Sequence, residues 1–92
     1  MKIIELIRIR TGSANYQKSR ETLEQIAIDA MLRSSEGTVE LFKDGSITGD
    51  FAYFLYWDEQ PIGAEGSSLG LKIRKSLELL GIVDHTAWTL IK

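Results

Sequence analysis

Few side chains in this 92-residue sequence have chemistry to offer, and they fall in three places. His85, the single histidine, follows Asp84 and stands three residues before Trp88. An imidazole exchanges protons near neutral pH, and a neighbouring carboxylate favours its charged form, so His85 is a candidate general base. Its plainer role is a strand-head histidine bonded to loop backbone. Arg8 and Arg10 lie two residues apart, which puts both on one face of a strand. There they can fork a carboxylate or phenolate, with Arg10 stabilising developing charge, or pair with a partner's Asp or Glu. The third place is the run "TGDFAYFLYW" at 48–57, with five aromatic residues in ten positions. Tyr53 and Trp57, with Trp88, are candidate walls for a flat organic ligand, and equally candidate packing residues.

Composition narrows the chemistry further. Cysteine is absent, which removes disulfides, thiolate metal sites and a thiol nucleophile, and one histidine alone is a poor transition-metal set, so no metal is expected. Lys and Arg number 11 against 13 Asp and Glu, a net charge of -2, with a pI near 5.3, so the chain as a whole does not attract nucleic acid. The apolar start is broken by Glu5, Arg8 and Arg10, too short and too charged for a signal peptide or a spanning helix. A cytoplasmic protein with no membrane partner is the expectation. Residues 1–92 are the size of one domain, which buries about 60 to 65% of its unfolded surface, so self-association is a natural supplement.

The elements that must position these groups read in order. Residues 2–11, "KIIELIRIRT", are rich in β-branched isoleucine and alternate in part, as a strand does. Ser13 or Asn15 then caps a helix in which Tyr16, Leu23, Ile26, Ala27, Ala30 and Met31 share helical spacing, ending near Arg33 before the "SSEG" break. Residues 38–43 and 47–57 form two strands around the Asp44-Gly45 turn. The loop 59–68 holds the one proline and is longer than a usual connection. Leu69, Ile73, Leu77 and Leu80 stripe a second helix, capped by Ser67 or Ser68 and closed by Gly81, and 83–91 is a last strand. The order βαββαβ predicts an α+β, ferredoxin-like sandwich: one four-stranded antiparallel sheet with two helices on one face.

Such a sandwich leaves its other sheet face bare. Along 47–57 both alternating sets are apolar, so both faces need a cover. Small Ala52 suggests a close helix crossing on its own side, which assigns Phe51, Tyr53, Leu55 and Trp57 to the open face. One cover is RNA: "GDFAYFLY" resembles the aromatic signature of the RNA recognition motif, with bases stacking on Phe51 and Tyr53. It departs from that signature at Asp50, in the missing basic residue and in the first strand, which has no aromatic.

The other cover is a second copy. Trp57-Asp58, the S-x-L-G-L run at 67–71 and the G-I-V-D-H-x-x-W run at 81–88 resemble the dimeric α+β barrel superfamily, in particular small proteins related to the antibiotic biosynthesis monooxygenase domain. The resemblance implies a homodimer closed through the open sheet faces, with Phe51, Tyr53, Leu55 and Trp57 at its interface. It also implies a cofactor-independent monooxygenase acting on a planar aromatic or quinone-like molecule, or a non-catalytic relative that binds a ligand or only dimerises. Of the haem-degrading branch's Asn, Trp and His, only Trp57 falls in place: Asn15 lies after the first strand and the second helix has no histidine, so no cofactor is expected. "GAEGSSLGLK" lacks phosphate-loop spacing; its helix start still offers free N–H groups to an anion, and close packing is the simpler account of Gly70.

Overall fold

The computed structural model describes residues 2–14, 16–33, 38–58 and 66–92. Asn15, the "SSEG" break and most of the 59–68 loop lie outside them. The described chain runs β1 (Lys2–Arg10), α1 (Tyr16–Arg33), β2 (Thr38–Lys43), β3 (Asp50–Asp58), α2 (Ser68–Leu77) and β4 (Ile82–Thr89). The four strands form one antiparallel sheet in the order β2-β3-β1-β4, the expected ferredoxin-like arrangement. No described helix is long and apolar enough to cross a membrane.

β3 starts three residues later than its hydrophobic pattern suggests. The Asp44 carboxylate accepts the N–H groups of Ser46 (2.7 Å) and Ile47 (2.9 Å), which folds 44–49 into a loop instead of strand. These two backbone donors also hold the Asp44 carboxyl below its ordinary range. α2 opens at Ser67, whose hydroxyl accepts the Gly70 N–H at 2.9 Å. It ends at Leu77 with Glu78 as its C-cap, ahead of the expected Gly81, which sits against the Arg10 carbonyl. Arg74 and Glu78, four residues apart at the end of α2, pair at 3.4 Å.

The sheet's two faces are the reverse of the sequence assignment. Phe51, Tyr53, Leu55 and Trp57 all lie in the core beneath the helices, between 0 and 9% exposed, beside Ile3, Ile7 and Ile9 of β1. They are therefore not the open-face wall. Close helix approach comes from α1's own small residues, Ala27 and Ala30, which with Leu23 are its buried set, so Ala52 is not needed for it. Tyr16 at the head of α1 stacks on Phe51 at 5.7 Å between ring centroids. Tyr53 spends its hydroxyl on the Leu23 carbonyl at 2.6 Å. That places it in the α1–sheet joint, away from any ligand, and burial pushes its phenol up.

The open face carries the other set. Alternation and register bring Phe42 of β2, Ala52, Phe54 and Tyr56 of β3, Ile4, Leu6, Arg8 and Arg10 of β1, and Trp88 of β4 to it. Phe54 meets Phe42 edge-on at 5.1 Å and stacks with Tyr56 at 6.4 Å. The reason for expecting a cover survives the exchange of residues, because this face too is aromatic and half exposed.

Candidate functional site

β1 reads Ile3, Glu5, Ile7, Ile9 on its helix-facing side, so an ionisable carboxyl stands in a row of isoleucines and is fully buried. A carboxylate there costs several kcal/mol unless it is partnered. Glu5 has three polar partners. Trp57 of β3 donates its indole N–H to Oε1 at 2.7 Å. Ser67, the N-cap of α2, donates its backbone N–H to Oε2 at 3.1 Å. His85 of β4 places Nε2 2.7 Å from the same oxygen, with its side chain 2% exposed. The helix N-terminus expected to attract an anion thus receives one from the chain itself.

Topology makes this convergence possible. β1 is the central strand between β3 and β4, and Ile3 pairs with Trp57 while Ile7 pairs with His85, so Glu5 sits between both on one face. The remaining room is secured by glycine. A Cβ on Gly66 would lie 2.6 Å from His85 Nε2 and 2.7 Å from Glu5 Oε2, and one on Gly70 would overlap Glu5 Oε2. Close packing at Gly70 is therefore against a carboxylate. Among the described residues one atom of the cluster has no partner: His85 Nδ1 is buried without a hydrogen bond.

Beside the cluster, at the end of the sheet where β1 begins and β3 and β4 finish, lies a cavity of about 640 Å³. Tyr56, Trp57, Trp88 and Ile4 give it aromatic and aliphatic walls, and Lys2 and Asp58 are at its rim. Trp57 belongs to both places: its ring lines the cavity and its N–H is turned inward to Glu5. Trp88 is 63% exposed and satisfies its own indole N–H on Thr86 at 2.9 Å.

The expected site residues therefore divide. His85 and Trp57 come together in one cluster, and Trp57 and Trp88 line one cavity. Arg10 lies apart, paired through Nε with Asp50 at 3.3 and 3.4 Å on the open face, and Arg8 shares that face opposite Asp84. Asp84, next to His85 in sequence, points to the opposite side of β4, so the carboxylate that meets the imidazole is Glu5. Sequence reading missed Glu5; its signal was a lone acid on the all-isoleucine face of β1. Among the described residues no group of three His, Asp or Glu side chains could hold a metal.

Known structures share this architecture. Rv0793 from Mycobacterium tuberculosis is similar over 100% of this chain and 97% of its own, at 13% identity and a TM-score of 0.70. A candidate antibiotic biosynthesis monooxygenase from Deinococcus radiodurans is similar over 100% and 94%, at 21% identity and 0.66. SnoaB from Streptomyces nogalater, a cofactor-independent oxygenase, is similar over 99% and 94%, at 14% identity and 0.67. These likenesses show that the chain has the ferredoxin-like α+β fold of antibiotic biosynthesis monooxygenase-like proteins. No protein family's sequence profile and no curated protein sequence matches it.

Proposed function

We propose that the protein is a homodimeric, cofactor-independent monooxygenase for a planar aromatic or quinone-like small molecule, held in the cavity of Tyr56, Trp57 and Trp88 with His85 as proton acceptor. The observation that carries this reading is the buried Glu5–His85 pair joined through Trp57 to the wall of an aromatic cavity. A domain this small gains stability from apolar burial, and a buried acid and imidazole given room by two glycines are costly unless used. The fold shared with SnoaB supports the same class.

The chemistry needs only a base and O₂. Removing a proton from an activated aromatic methylene leaves a delocalised carbanion. The carbanion passes one electron to O₂, and recombination with protonation forms a carbon-bound hydroperoxide. Loss of water then leaves a carbonyl, with one oxygen atom in the product and one in water. His85 takes the proton, and the apolar walls keep the anion from bulk water. Arg10 is engaged with Asp50 away from this cavity, so it takes no part.

The dimer forms through the open face, where Phe42, Phe54, Tyr56 and Trp88 bury one another's counterparts across a two-fold axis. A second reading, a ligand-binding protein without catalysis, is favoured by the closure of Glu5 and His85, 0% and 2% exposed at their side chains. The RNA reading loses its platform, since Phe51 and Tyr53 are core residues. Light scattering should return twice the 10.3 kDa chain mass, and 1,4-naphthoquinone should quench tryptophan fluorescence saturably. A monomer that no quinone quenches contradicts the proposal.

A further inference from the structure

Glu5 has no task in the reaction just described, yet every polar atom of the cluster is arranged around it. Its Oε1 receives the Trp57 indole N–H and its Oε2 the Ser67 backbone N–H, and neither group can do anything but donate. Both carboxylate oxygens are thereby acceptors. With Glu5 as the carboxylate, the third contact, from His85 Nε2 to Oε2 at 2.7 Å, has its hydrogen on the nitrogen. A neutral imidazole with hydrogen on Nε2 has a bare lone pair on Nδ1, the one buried atom of the cluster without a partner among the described residues.

We propose that Glu5 is a positioning residue that fixes His85 in the Nε2–H tautomer, so that Nδ1 is the nitrogen that accepts the proton of an acidic phenol or enol. This rests on the reading of His85 as the base. In the step, the ligand's O–H bond breaks and an Nδ1–H bond forms. The ring becomes an imidazolium facing the Glu5 carboxylate, and the ligand remains as its oxyanion. Trp57 and Ser67 keep Glu5 from turning away, and Gly66 and Gly70 leave no side chain to separate it from the ring. Asp84 cannot substitute, being on the opposite face of β4 and across from Arg8.

Because His85 is the sole histidine, imidazole ¹⁵N NMR of the full chain reads the tautomer without assignment. At neutral pH the wild-type ring should carry hydrogen on Nε2 and none on Nδ1. A wild-type ring with hydrogen on Nδ1 overturns the inference, and this spectrum decides it even should a Glu5→Gln variant not fold. The second readout is 1,2-dihydroxyanthraquinone, whose absorption reports its ionisation. Glu5→Gln should bind this dye within about threefold of wild type, yet lower its bound ionised-to-neutral ratio by about tenfold or more, one pKa unit. Equal ratios on the two proteins overturn the inference, since a merely structural Glu5 would not move them. Failure of the dye to bind either protein contradicts the proposed function instead, and the tautomer then decides this inference alone.

Discussion

At position 5 a carboxyl occupies a site that its strand face would give to isoleucine, and the cost of burying it is met by polar partners from three separate elements. Trp57→Phe keeps an aromatic side chain but removes the indole N–H and some ring volume, leaving Oε1 buried and without that donor. Urea denaturation should show a loss of about 1–3 kcal/mol. Tyr53 makes a different statement. Burial raises its phenol above the ordinary value of 10.0, so the unfolded chain releases that proton first. Stability from this group is full below that value and is lost as pH rises beyond it. Tyr53→Phe should flatten part of the alkaline decline in stability, at a cost near neutral pH of about 1 kcal/mol for the bond to Leu23. His85 was readable as a chemical group from its residue type alone. Its partner was not, because sequence adjacency favoured Asp84 and only strand alternation through β1 reveals Glu5.

At the scale of elements, the order and type of all six were legible in hydrophobic periodicity and turn residues. The face assignment of β3 was not. Both of its alternating sets are apolar, so period-2 patterning gave no direction, and the small residues that decided the matter, Ala27 and Ala30, are on α1. α2 depends on its first turn. Ser67→Ala removes the hydroxyl that accepts the Gly70 N–H and should lower stability by about 1 kcal/mol in thermal or urea unfolding, with the Glu5 contact retained through the backbone. Gly70→Ala is expected to be worse, because its methyl group would displace the Glu5 carboxylate itself.

Among the described residues the molecule presents a half-exposed aromatic sheet face, and the proposed dimer follows from it. Phe54→Asp should give a folded monomer of 10.3 kDa by light scattering, whereas Phe51→Asp should fail to fold, since Phe51 is a core residue. A Phe54→Asp protein that stays dimeric would move the interface elsewhere. The central claim, cofactor-free oxygenation beside the Glu5–His85 pair, is tested most directly with an oxygen electrode, using chelator-treated protein and anthrone, a planar ketone with an activated methylene. The wild-type protein should consume one O₂ per anthrone oxidised, well above the spontaneous rate, and His85→Phe should return uptake to that rate. Uptake no faster with the wild-type protein than without it would contradict the account.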